Sequence, residues 1–231
     1  MLLSKKILLF FLGSASVFGL VWLNRQHCTE VPGLRNWRRI LRQRYGTEKE
    51  QQISAEIQQQ YTSLVNEICL PENNALRWHL KEKILPGLAL YRVLLQEHTG
   101  DQPAVLASVE DAFRAKTLAK SRLLFTPLRV LPNPFGLLKM VFPRLMKQFP
   151  REGWDTTFIE NSPNRIAFNM TRCFYLNSLT SLGAPELTPS FCKCDDDMAE
   201  CFPPDIRFVR QHTLGRGDNL CDFQYCRVKQ T

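Results

Sequence analysis

The stretch Trp154-Asp155-Thr156-Thr157-Phe158-Ile159-Glu160-Asn161-Ser162-Pro163-Asn164-Arg165-Ile166-Ala167-Phe168-Asn169-Met170-Thr171 is where the chain changes character. Before it, apolar residues recur three and four apart, as on helices. Within it, Thr156 and Phe158 lead into the turn sequence Asn161-Ser162-Pro163-Asn164, and Arg165 to Thr171 returns, so a β-hairpin is predicted. Further on, Ile206-Arg207-Phe208-Val209-Arg210 alternates as a strand does, Gly215-Arg216-Gly217-Asp218 makes a turn, and Leu220 to Val228 returns. Cys173 to Leu182, ending at Gly183, and Pro189 to Cys201 have helical spacing between the two strand pairs. The C-terminal part is therefore predicted as an antiparallel sheet with two intervening helices.

Working upstream, Ile53, Ile57, Tyr61, Leu64 and Ile68 mark the buried face of a helix that Thr47 and Glu50 open as a capping box. Pro71 is expected to end it. Asn74 is expected to cap the next helix, which Pro86-Gly87 should break, and Leu88 to Glu97 forms a third segment. After the loop Thr99-Gly100-Asp101, Pro103 opens a helix with Val105, Leu106, Val109 and Phe113 inward. Five prolines lie between Phe125 and Pro150, in a stretch too apolar for a solvated linker. It reads as an irregular, well-packed connection carrying a short helix from Phe135 to Gln148. A helical layer joined to an antiparallel sheet is an α+β design.

The N-terminus reads differently. Ile7 to Leu23 is uncharged, and as a helix it would span about 25 Å, slightly short of a hydrocarbon core. Two lysines precede it and six arginines follow between Arg25 and Arg44, which orients the C-terminal side to the cytoplasm. A cleaved signal peptide is the alternative reading, with Ser14 and Ser16 near a cut site. The expected division is an anchor at 1–24, a basic juxtamembrane segment at 25–46, and one domain at 47–231, helical over 47–150 and α+β over 151–231. Leu34, Trp37, Ile40 and Leu41 mark one face of a basic helix that would lie either on anionic lipid or on the domain.

Charge follows the same division. Of the net +8, residues 1–44 carry eight bases and one acid, or +7, which leaves +1 for residues 45–231. A nearly neutral domain argues against a nucleic-acid groove, because phosphate contacts need clustered cations. Six of the eight cysteines fall between Cys173 and Cys226. A chain with an ample core does not need disulfide staples, so these are read as free thiols.

Reactive side chains are dense there. Cys173 follows Arg172 at a strand-to-helix junction, where a helix N-terminus and a guanidinium would push a thiol toward thiolate. Cys192, Cys194, Asp195, Asp196, Asp197, Glu200 and Cys201 crowd the next helix. On the last strand, alternation puts Cys221 and Asp222 on opposite faces, with Phe223 and Tyr225 beside Cys221.

Four strings occur in order: Phe168-Asn169-Met170-Thr171-Arg172-Cys173-Phe174-Tyr175, Gly183-Ala184-Pro185-Glu186-Leu187, Phe191-Cys192 with Asp195, and Thr213-Leu214-Gly215-Arg216-Gly217-Asp218 running into Cys221-Asp222-Phe223. Together they resemble the L-2-amino-thiazoline-4-carboxylic acid hydrolase family. Relatives often carry a proline after the motif cysteine, where this chain has Phe174. The resemblance implies hydrolytic opening of a cyclic isothiourea, such as the thiazoline to N-carbamoyl-cysteine, without a cofactor or metal. The implied site takes Cys173 as nucleophile, Asp195 or Asp222 as general base, and Cys192 and Cys221 nearby. Arg172, with Asn169 and Arg210, would bind the substrate, whose carboxylate suits a guanidinium. His212 is a possible proton carrier, although a surface position suits it better.

Two other functions compete. Cys192, Cys194, Cys201 and Cys221 could offer four thiolates to zinc, but C-x-C followed by six intervening residues is not a familiar zinc spacing. A membrane-tethered small-molecule-binding domain without catalysis is the other; it would tolerate loss of Cys173.

Overall fold

The computed structural model describes residues 30–98 and 101–228, and those from Pro32 onward form one compact unit. The expected anchor at 7–23 lies outside the described residues. Among those described, no helix is long and apolar enough to cross a membrane.

Helix α1 (Leu34–Tyr45) belongs to this unit. Leu34, Trp37 and Leu41 are buried, against α2 (Thr47–Glu67) and α5 (Gln102–Phe125), so of the two settings expected for this apolar face, lipid or domain, it takes the domain. The buried lysine Lys116 of α5 ties its start down, donating to the carbonyl of Pro32 at 2.9 Å. The expected capping box does not form. Glu50 is 1% exposed and turns inward, where it accepts from Arg42 Nη2 at 2.9 Å and Ser54 Oγ at 2.8 Å. A carboxylate sealing two helices together cannot also reach back to its own helix end.

Asn73, one residue before the expected cap, opens α3 (Asn74–His79), its side chain accepting from the amides of Ala75 and Leu76. The expected break at Pro86-Gly87 is absent. A π-helical turn, Leu80–Ile84, carries the chain directly into α4 (Leu85–Glu97), with Pro86 in its first turn. The π turn is what accommodates the proline: the Leu85 amide reaches back five residues to the Leu80 carbonyl, and Pro86, with no amide hydrogen to place, follows it. Asp101 caps α5 by accepting from the Ala104 amide at 3.0 Å. A short 3₁₀ turn (Thr126–Val130) then leads into α6 (Pro134–Met146).

The sheet has the order β1-β2-β4-β3, antiparallel throughout: β1 Thr156–Asn161, β2 Arg165–Met170, β3 Ile206–Val209 and β4 Cys221–Arg227. Helices α7 (Phe174–Ser181) and α8 (Thr188–Ala199) connect β2 to β3, so the α+β architecture stands as expected. Register pairs Ile166 with Tyr225, Phe168 with Phe223 and Met170 with Cys221, and these share one face. That inner face packs on α6 through Phe135 and Phe142, with Leu76 and Trp154 completing the core. The opposite face carries Arg165, Asn169, Asp222 and Gln224.

Candidate functional site

The site is built where the sheet's inner face meets α7 and α8. Helix α7 begins directly after Cys173, whose backbone is still extended, so the thiol sits at the helix N-terminus. The amides of Tyr175 and Leu176 donate to its sulfur. Gly183, at φ +74°, ends the helix in the left-handed conformation, and the Ala184 amide donates back to Leu179 at 2.8 Å. Glu186 then accepts from Tyr91 Oη at 2.6 Å and from Gln102 Nε2 at 3.1 Å, anchoring the chain to α4 and α5 before α8 starts. This motif residue is structural.

Helix α8 contributes Cys192 and Asp195, and the loop after β3 brings the third element. Gly215 packs so tightly on α8 that a Cβ there would lie 2.8 Å from Cys192 Sγ and 2.9 Å from Thr188 Cγ2. The glycine is thus a requirement of close approach. Beside it, the Leu214 amide donates to Cys221 Sγ at 3.3 Å, which fixes the fourth element.

Arg210 is the hub. Its side chain is 2% exposed, donating to Asp195 Oδ2 at 2.7 Å, to Asp196 Oδ2 at 3.0 Å and to the Cys192 carbonyl at 2.8 Å. The guanidinium carbon stands 5.2 Å from the Phe223 ring centroid and 5.6 Å from that of Phe208. Burial opposes its charge, but the two carboxylates outweigh burial and hold it protonated.

Asp195 is the common electrostatic neighbour of the whole cluster. After burial, its carboxylate is among the influences that raise the pKa of Cys173, Tyr175, Cys192, Cys221 and Tyr225. Its own pKa is raised by burial, with Arg210 opposing. Yet its side chain keeps 41% of its surface. A carboxylate held among these side chains with that much of its surface open can be reached by a small molecule, and the recess is this approach to Asp195. Burial pushes Cys192 up to about 12 and Cys221 up to about 11, and it raises Cys173 despite the two amides. These thiols are neutral at pH 7. The thiolate expected from Arg172 does not arise, because Arg172 is exposed and donates to the Arg151 carbonyl at 3.4 Å.

Two further site residues expected from sequence lie elsewhere. Asp222 and Asn169 pair across β2 and β4 on the sheet's other face. Asp222 Oδ1 accepts from the amides of Gln211 at 2.9 Å and His212 at 2.6 Å, a loop clamp rather than a base in the recess. His212 is on the surface, with Nδ1 3.6 Å from Asp222 Oδ2. The cysteines proposed for zinc are not gathered. Cys194 turns to Thr117 of α5 and to the Ser190 carbonyl, and Cys201 is buried separately. Among the described residues, no group of three His, Cys, Asp or Glu could hold a metal ion.

The recess also has members that the sequence did not suggest. His79 is 4% exposed, with Nε2 2.9 Å from the Gln148 carbonyl and Nδ1 2.9 Å from Tyr175 Oη. A carbonyl only accepts, so Nε2 carries the hydrogen and Tyr175 donates to Nδ1. Burial pushes His79 down to about 4, which keeps it neutral. Tyr175 has therefore committed its one proton, and toward other groups its oxygen can only accept. Lys83, on the π turn four residues later, brings a positive charge within reach of Asp195 and Cys194. The signal for both was Pro86-Gly87: a helix running through it needs an irregular turn, and such turns recur at functional sites.

The family model for L-2-amino-thiazoline-4-carboxylic acid hydrolase matches residues 77–225. The chain belongs to that hydrolase family. The match begins at Arg77, so it takes in the π turn with His79 and Lys83 as well as the cysteine motifs that made the L-2-amino-thiazoline-4-carboxylic acid hydrolase resemblance legible. No curated protein matches the chain in sequence. Among solved structures, the chain is similar to the Fe(II) unliganded H-NOX protein from K. algicida, at 9% identity and TM-score 0.38, covering 87% of this chain and 97% of that one. A point mutant of the same protein gives 10% identity, TM-score 0.37, and coverage of 86% and 97%.

Proposed function

We propose that this chain is a hydrolase that opens a small cyclic amidine or isothiourea ring, of which 2-amino-thiazoline-4-carboxylate is the type, at the recess around Asp195. The observation that carries this reading is the convergence of Cys173, Cys192, Cys221, Asp195 and Arg210 from four separate elements. Asp195, with a raised pKa, takes the proton of the neutral Cys173 thiol as its sulfur adds to the ring carbon between nitrogen and sulfur. The ring carbon–sulfur bond breaks, and the departing sulfur receives that proton. Water, deprotonated by Asp195, then attacks the same carbon. The bond to Cys173 breaks, its sulfur regains a proton, and a carbamoyl product leaves. Arg210 orients Asp195 throughout. The Tyr175 oxygen, able only to accept, takes a hydrogen bond from the amidine N–H, and Lys83 is the cation placed for a substrate carboxylate.

The test is release of free thiol when the full-length chain meets a panel of thiazolines and related cyclic amidines. No release from any of them would sink the hydrolase reading for this chain. One observation favours a second reading, a binding domain without turnover: all three recess thiols are held neutral. Such a domain would bind the same ligands and keep its affinity in Cys173→Ala. The apolar run at 7–23, with its flanking bases, supports a single-pass anchor that places the domain at a cytoplasmic membrane face.

A further inference from the structure

The nearly neutral charge of the domain conceals a local excess. From Lys120 to Arg151 there are seven bases and no acid. Residues 125–150 of it were expected to be a well-packed connection, and inner residues such as Phe135 and Phe142 are buried. Its other side is not. Leu123 is 82% exposed, Val130 86% and Met140 65%, and Ile159 of the adjoining β1 is 58% exposed. Among the described residues, the most exposed large apolar side chains fall between Leu123 and Ile159, and only the less exposed Val228, at 37%, lies outside that span.

The 3₁₀ turn, α6 and β1 are neighbours in space as well as in sequence. Lys139 donates to the Asn161 carbonyl at 3.3 Å, and the Phe142 and Phe158 rings meet at 6.3 Å, so α6 lies along β1. Arg129, on the 3₁₀ turn, lines one cleft with Asn164 of the β1–β2 turn. On α6 the buried positions are Pro134, Phe135 and Phe142, and Met140 and Arg144, with Lys147 just past the helix end, are exposed and fall away from the two rings at spacings of four and three. Arg129, Arg144 and Lys147 make no ion pair among the described residues. Of the acids at the margin, Asp155 offsets Arg151 at the end of the segment, and Glu160 is engaged by Arg165.

From this surface we infer that the 3₁₀ turn and α6 dock on an anionic lipid bilayer, in the plane of the interface. Aliphatic side chains isolated among arginines and lysines match both layers of such a surface, acyl chains below and phosphates above. A nucleic acid could stack only on Phe158, 50% exposed, and would leave Leu123, Val130 and Met140 without partners, since phosphate backbones offer no apolar layer and stacking needs aromatic rings. The contrast with α1 is informative. That helix has the richer basic sequence, yet its apolar face is buried, so it is not the docking element. Each basic residue brought to an anionic surface strengthens association about fivefold, and salt weakens it.

Because an N-terminal apolar run would hold the full chain on any vesicle, the test must read the contact of this surface itself. Met140→Trp in the full-length chain is mixed with vesicles containing acyl-chain-brominated lipid, and the wild-type signal is subtracted for the native tryptophans. The added tryptophan should be quenched in phosphatidylcholine–phosphatidylglycerol vesicles, at least fivefold less in phosphatidylcholine alone, and less again in about 0.5 M salt. The further changes Arg129→Gln, Arg144→Gln and Lys147→Gln should abolish the quenching while circular dichroism is unchanged. If that chain does not fold, Val130→Trp alone must reproduce the lipid dependence. Equal quenching in both vesicle types, or none in either, overturns the inference. So does burial of the added tryptophan in lipid-free protein that sediments as a dimer, which would assign the surface to a second copy.

Discussion

Cys221 and Asp222 are adjacent in the chain, yet they belong to different parts of the molecule. Cys221 faces inward beside Met170, under the loop that carries Gly215, in the recess shared with Cys192 and Asp195. Asp222 faces outward beside Asn169 and spends its carboxylate on the amides of residues 211 and 212. Side-chain alternation in a strand makes this separation unavoidable. A density of reactive residues in sequence therefore overstates the site until strand faces are assigned. If the division is right, substitutions on the inner face change turnover, and those on the outer face change only stability.

The hardest test is Cys173→Ala. Removing the nucleophile should lower kcat at least about 10³-fold, with ligand affinity kept and the melting temperature little changed, since a thiol replaced by a methyl leaves most packing intact. Full activity in this variant would move the chemistry off the thiol altogether. Arg210→Met comes next. It leaves Asp195 without its partner, and the expected loss is about 3 kcal/mol in denaturant unfolding, toward the low end for a broken buried pair. The two carboxylates keep 41% and 46% of their surface, and water there softens the penalty. A loss below about 1 kcal/mol would mean that Arg210 is not the hub.

Asp195→Asn should cost about 10² in kcat, and its pH profile is the more telling readout. Burial raises the Asp195 pKa, so the base is lost as pH falls through a value above the ordinary aspartate range. The wild-type acid limb of kcat/KM should stand at that raised value and vanish in Asp195→Asn. For stability the sign is opposite to a salt-bridged acid. The native state favours the protonated form, so its contribution is full below the ordinary value and lost as pH rises through the raised one. An acid limb unchanged in Asp195→Asn would assign it to another group.

Much of this was legible in the sequence. Alternation in Ile206–Val209 and Leu220–Val228 marks the second strand pair, and the Asn161–Asn164 turn marks the first, because period-two patterns and turn residues are local properties. Cys173 at a helix start and Asp195 on α8 were legible for the same reason. Arg172 was misread because proximity in sequence was taken for proximity in space; two residues before the helix, its side chain turns to the Arg151 carbonyl while Cys173 takes the helix N-terminus. His79 and Lys83 were not legible because their role depends on a π turn held by tertiary packing around Pro86. Glu50 shows the same limit, since local capping grammar is overridden when a partner such as Arg42 waits on another helix. The exposure of Val130 and Met140 was beyond reach too, because an apolar residue carries no mark of which side of a helix the core will take.

The outer face supplies the smallest and most discriminating effects. Asp222→Ala removes the acceptor of two loop amides and should cost about 1–2 kcal/mol of stability, with kcat changed less than about threefold. Burial alone would raise the Asp222 pKa, but the amide hydrogen bonds outweigh it and hold it below the ordinary range. Its contribution is therefore present above the ordinary aspartate value and lost as pH falls through the lower folded one. Denaturant midpoints of wild type and Asp222→Ala should accordingly converge in acid. Asn169→Ala, across the strand pair, should shift stability by less than about 0.5 kcal/mol and leave KM unchanged, as a surface strand position allows. If Asn169→Ala instead raised KM tenfold, substrate would have to reach the outer face, and the assignment of the two faces would be reversed.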